Sequence, residues 1–233
     1  MRIAPALLAA LGLALMPATV QAKGPAKAAA ARDWTRTVTA TAEGGFRMGN
    51  PAARVKLIEY GSLACPHCRH FDETGYRPLL DGYVRRGKVS YEFRNIVING
   101  PDVAVTLLTR CSGPGKFFAM AQAVYSTQAD WEKKISDMVA ADKATLDGLT
   151  DQQLFARYAD VGGFIALAGR FGVTPTRASQ CLSDPKGLDR LMGITRAAND
   201  VGINRTPTFV INGKVVDGST WEELEPALKA AGG

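Results

Sequence analysis

Cys65 and Cys68 stand three residues apart in the run Cys65-Pro66-His67-Cys68. The run follows Val55 to Tyr60, which is rich in β-branched and aromatic residues and reads as a buried strand broken by Gly61-Ser62. Pro66 suits a first helical turn, where its missing N–H is no loss. A thiol at such a strand-to-helix junction meets the free N–H groups and the positive end of the helix dipole, both of which favour thiolate. Cys65 is then the attacking thiol. Cys68, one turn further, is the resolving one, close enough to close a disulfide but set back from solvent. Pro66 shapes the turn, and His67 can offer the Cys65 thiolate positive charge or a hydrogen bond.

Other uses of the pair fit less well. Structural zinc needs a second close Cys or His pair, which Cys111 and Cys181 do not supply, and His67 and His70 crowd one turn. A c-type haem site needs His directly after the second cysteine, where Arg69 stands. A purely structural disulfide across so short a loop would be easily reduced, which again points to redox use. No metal or cofactor is expected.

Two features far from the pair converge on it. Thr206-Pro207-Thr208 opens a late strand. Taken with the upstream cysteines, it predicts a cis-proline loop facing the disulfide, although prolines also begin ordinary edge strands. Glu59 lies six residues before Cys65 in a strand that reads as buried. An unpaired carboxylate there would be costly, so a semi-buried proton-handling role is favoured over a solvent-facing edge position.

The elements that must position these residues read as follows. Helical spacing runs from His67 to Arg86, with Gly75 and Pro78 predicting a kink or break midway. The next strand is Val89 to Ile98, and strand–helix–strand implies parallel pairing. Residues 101–200 carry apolar positions at helical spacing with no convincing strand. Strand character returns at Thr208–Ile211, followed by the hairpin signal Asn212-Gly213, and a last helix runs from about Thr220 to Ala230. The outline is α/β: residues 37–100 and 201–233 form two halves of one unit, and 101–200 form a helical insertion.

At the N-terminus, Arg2 is followed by an apolar stretch from Ile3 to Met16 and by Val20-Gln21-Ala22. Residues 1–22 read as a cleaved signal peptide, with an uncleaved anchor as the alternative, and 23–36 as a mobile segment. Export places four cysteines where disulfides persist. Their uneven spacing suggests one working pair and one structural pair, with two buried thiols as the alternative. A formal charge of +6 without a basic cluster gives no sign of nucleic-acid binding.

Leu57 to Cys68, with Thr206-Pro207-Thr208-Phe209-Val210-Ile211-Asn212-Gly213, resembles the DsbA family of bacterial disulfide oxidoreductases. The resemblance runs from about residue 40 to the C-terminus. It implies a thioredoxin fold with an inserted helical subdomain and oxidation of thiols in the periplasm. By the same match Cys65 is the nucleophile, Cys68 the resolver, Pro207 the cis-proline preceded by Thr206, and Glu59 the buried acid. Arg110-Cys111 and Cys181-Leu182 resemble paired cysteines of the same branch, which implies a Cys111–Cys181 disulfide. The implied partners are unfolded exported polypeptides and a membrane quinone-linked protein that reoxidises the pair. Isomerase or reductase activity is the alternative direction, since Thr206 also suits isomerases, and a peptide-binding chaperone is a third reading. Residues 23–50 are too short for an added dimerisation domain, which favours a monomer.

Overall fold

A computed structural model describes Met1 and residues 32–233. The expected signal peptide, Met1 apart, and residues 23–31 of the expected mobile segment lie outside the described residues. The described part of that segment corrects the expectation of mobility. Asp33 pairs with Arg85, the Trp34 N–H donates to the Arg85 carbonyl, and Trp34–Arg36 form a single tight turn.

Six strands make one mixed sheet. In chain order they are β1 (Val38–Ala40), β2 (Phe46–Gly49), β3 (Val55–Gly61), β4 (Val89–Asn95), β5 (Thr208–Ile211) and β6 (Lys214–Val216), and across the sheet the order is β1-β2-β4-β3-β5-β6. β3 and β4 pair in parallel, from Val55 opposite Val89 to Gly61 opposite Asn95, and β5 runs antiparallel on the other side of β3. β3 is therefore internal to the sheet; its burial alternates from Val55 to Ile58 and is complete from Glu59 to Gly61. β4 ends at Asn95, short of the Ile98 that its residue types predict. At the β5–β6 hairpin, Asn212 and Gly213 take positive φ values of 50° and 82°, the conformation such a two-residue turn requires.

Helix α1 (Pro66–Phe71) starts directly after Cys65, carries Cys68 and continues into α2 (Arg77–Leu79). At Gly75 and Pro78, where a kink or break is expected, the regular α-helix is interrupted but the chain does not leave the helical path. Instead the chain stays helical through two wide i→i+5 turns, Asp72–Tyr76 and Leu80–Val84. Pro78 has no N–H to give and would crowd the carbonyl four residues back in a regular helix; widening the turns on either side relieves that conflict.

Eight helices fill the stretch between β4 and β5: α3 (Gly100–Cys111), α4 (Pro114–Tyr125), α5 (Gln128–Ala141), α6 (Lys143–Leu146), α7 (Asp151–Val161), α8 (Phe164–Arg170), α9 (Pro175–Leu182) and α10 (Pro185–Asp200). Their starts follow sequence rules: Asn99, Thr150, Thr174 and Asp184 cap four of them through side-chain oxygens. A helical core gathers Leu108, Met120, Val124, Trp131, Phe164 and Leu191 together with Leu63 and Cys68 of the active-site turn. The sheet core holds Leu57, Phe71, Tyr91, Phe93 and Phe209 and is completed by Phe117 and Phe118 of α4. The helical block thus contributes to both cores. Cys111 at the end of α3 and Cys181 in α9 form a disulfide with Cα atoms 6.2 Å apart. Helix α11 (Trp221–Ala230) closes the chain; Glu223 accepts hydrogen bonds from the Ser219 and Thr220 N–H groups at its start.

Candidate active site

Pro66 occupies the first position of α1, so the first free backbone donors belong to His67 and Cys68. Cys65 is the N-cap residue, with an extended backbone at φ −90° and ψ 122°. In that place an oxygen-bearing side chain would accept from the second or third helical N–H. Here a sulfur stands in its position. The Cys65 thiol falls to a pKa of about 5. A hydrogen bond from Cys68 is the largest cause, and burial opposes it; the Thr206 side chain and the N–H groups of Cys68 and His67 add to the lowering. As a thiol, Cys65 donates to the Thr206 carbonyl at 3.2 Å.

Thr206 and Pro207 therefore sit against Cys65, across a chain separation of 141 residues, and the peptide bond between them is cis. His67 is placed differently from the expectation. Its backbone N–H favours the thiolate, while its imidazole is exposed and makes no hydrogen bond to either sulfur among the described residues. The imidazole lines an open groove of about 470 Å³ beside the pair, with Arg205, Pro207, Asp217 and Glu223.

Cys68 is fully buried, and the Ser62 N–H donates to its sulfur at 3.4 Å. Burial, the bond to Cys65 and the nearby Glu59 push its thiol well above the ordinary range. The two sulfurs thus divide their roles by environment: one is held as thiolate and the other as thiol. Glu59 is 2% exposed and accepts a hydrogen bond from the Tyr91 hydroxyl at 2.6 Å. Burial raises its pKa to about 8, the Tyr91 bond opposes this, and Asp72 and Cys65 add like-charge repulsion. Glu59 and Cys68 share a narrow internal cleft with Asp72, Tyr76 and Tyr125.

Four residues of this site escaped the sequence reading. Asp72, held near 7 by burial and by the charge of Glu73, follows Cys68 by four positions and lies on the same helical face, a spacing that could have flagged it. The other three come from the helical block and grip the turn before α1. Asp102 accepts from the Ser62 hydroxyl at 2.6 Å, the Tyr125 hydroxyl donates to the Ser62 carbonyl at 3.0 Å, and the Gln128 amide donates to the carbonyls of Leu63 and Cys65. No local pattern ties residues 40 to 65 positions away to this turn, so they could be found only in three dimensions.

A family model described as thioredoxin matches residues 41–230. A protein-disulfide isomerase from Novosphingobium aromaticivorans is 31% identical, with a TM-score of 0.73 over 79% of this chain and 95% of that one. Wolbachia pipientis alpha-DsbA1 has the same fold at 22% identity, with a TM-score of 0.59 over 79% of this chain and 89% of that one. A Rickettsia bellii protein named for protein-disulfide oxidoreductase activity is 25% identical over 194 residues, which cover 81% of this chain and 65% of that protein. The chain thus spans somewhat under two thirds of that relative's length. A match of this extent, with both cysteines at the start of α1 and Pro207 beside them, places the chain in the thioredoxin family, with the fold of the DsbA structures.

Proposed function

We propose that this protein is a thiol–disulfide oxidoreductase that passes a Cys65–Cys68 disulfide to exported polypeptides. The observation that carries the proposal is the split between the sulfurs: Cys65 falls to about 5 while fully buried Cys68 rises well above its ordinary value. In the oxidised protein, a client thiolate attacks Cys65 Sγ, forming a mixed disulfide and releasing Cys68 as leaving group. Glu59, protonated at neutral pH by its burial, supplies the proton that the buried Cys68 sulfur needs. A second client thiolate then attacks the client sulfur of the mixed disulfide and expels Cys65 as a stabilised thiolate. The client loses two electrons, the protein gains them, and a membrane quinone-linked partner removes them again.

Oxidation is the favoured direction because whatever stabilises the Cys65 thiolate stabilises the reduced protein. A thiol near 5 against an unfolded reference near 8.5 corresponds to about 2 kcal/mol at pH 7 once solvent screening is allowed for, or roughly 40 mV. The Cys111–Cys181 bridge supports an oxidising compartment such as the periplasm. The isomerase reading draws on the name of the Novosphingobium aromaticivorans relative. Cys68→Ser, first charged at Cys65 as a mixed disulfide with glutathione and then incubated with a reduced, unfolded client of one cysteine, should release glutathione and accumulate a client mixed disulfide through Cys65, and Cys65→Ser treated in the same way should accumulate none. Equal trapping by both variants, or equal alkylation rates of the two thiols in the reduced protein, would contradict these roles.

A further inference from the structure

Gln128 opens α5, yet it is only 1% exposed. Its side-chain nitrogen donates to the Leu63 carbonyl at 2.9 Å and to the Cys65 carbonyl at 3.2 Å. Both hydrogens of one amide are thus spent on one turn, on the Leu63–Ala64 and Cys65–Pro66 peptides. The amide oxygen, also buried, has no hydrogen-bond partner among the described residues. Flipping the amide would set that oxygen against two carbonyls, so the orientation is fixed by the turn. An unsatisfied buried oxygen costs about 1–3 kcal/mol, and an apolar side chain of similar size would avoid that cost. A buried amide kept at this expense calls for a reason other than stability.

We infer that Gln128 is a positioning residue for Cys65: by holding the Leu63–Ala64 and Cys65–Pro66 peptide planes, it aims the Cys65 sulfur at the helix donors and at Thr206. Asp102 and Tyr125 hold the same turn, but at Ser62, three residues upstream. Gln128 instead grips the Cys65 peptide itself. The Cys65 carbonyl also begins the helix, accepting the Arg69 N–H at 3.1 Å, so its direction is shared by the turn and by α1. The backbone N–H groups of His67 and Cys68 can reach the sulfur only while that direction is kept. The insertion thereby takes part in activating the thiol. The inference rests on the reading of Cys65 as the activated thiol.

The test is a thiolate-absorbance titration of Cys65, with equilibration against glutathione, in the wild-type protein and in Gln128→Met. Gln128→Met keeps the volume and removes both donors. It should raise the Cys65 pKa by about one unit and make the disulfide about tenfold less oxidising, a shift of about 30 mV. A folded Gln128→Met with wild-type pKa and a potential equilibrium within twofold of wild type would overturn the inference. Should this variant not fold, the wild-type protein still decides: the Gln128 side-chain amide resonances should shift with the midpoint of Cys65 deprotonation, and resonances indifferent to it would overturn the role. A wild-type Cys65 that titrates near 8.5 would instead overturn the reading of the activated thiol itself.

Discussion

At the scale of single residues, the site works by giving like groups unlike surroundings. Cys65 caps a helix and loses its proton easily; Cys68, one turn on, is sealed in the core beside Glu59. Glu59 carries a folded pKa near 8, above its unfolded value. Its burial therefore lowers stability as pH rises from about 4.5 to 8, and Asp72, raised to about 7, adds a slope of the same sign. Glu59→Gln should stabilise the protein, with a gain that grows across that window and slows proton delivery to Cys68. A gain independent of pH in denaturation curves would contradict the buried-acid role. For His67, the backbone N–H favours the Cys65 thiolate, while the exposed imidazole makes no hydrogen bond to the sulfur among the described residues. His67→Ala should raise the Cys65 pKa by less than about one unit. A rise of two units in an absorbance titration would return the main role to the imidazole. The cysteine pair, Glu59 and Pro207 were legible in the sequence because each departs from what its element calls for: thiols at a helix start, an acid in an apolar strand, a proline before a late strand.

At the scale of elements, Cys65 is presented at the junction of β3 and α1, both of which follow local sequence patterns. Elements with strong local patterns, β3, β5 and the Asn212-Gly213 turn, could be read directly. β1 and β2, of three and four residues, carry too little pattern to stand out; β2 adds to β4 and β1 adds to β2. At Pro78 the lost hydrogen bond is absorbed by widened turns on either side, a form of irregularity that the proline alone does not specify. The Cys111–Cys181 bridge closes a separation of 70 residues between α3 and α9, remote from Cys65 in the chain. Replacing both cysteines with Ala should cost about 2–4 kcal/mol in the chain-entropy account while leaving the Cys65 titration unchanged. Denaturant unfolding measures the first, and thiolate absorbance the second. A shifted Cys65 midpoint would show that the bridge communicates with the active pair.

At the scale of the molecule, the helical block and the sheet unit meet on the turn Ser62–Cys65, where α3, α4 and α5 each supply one polar anchor. This meeting could not be read from sequence, because each anchor depends on how the block folds back over the sheet. It also couples folding to redox state. Only the reduced protein has a titrating Cys65, and its folded pKa lies below the unfolded value. The extra stability of the reduced form is thus complete above about pH 8.5 and is lost as pH falls towards 5. Under the proposed function that extra stability would supply the oxidising power, so the reduction potential of the Cys65–Cys68 pair against glutathione at pH 7 tests the central claim most directly. The account predicts a value above about −230 mV, at least about 40 mV more oxidising than the roughly −270 mV of thioredoxin. A value below about −230 mV would identify a reductase and contradict it.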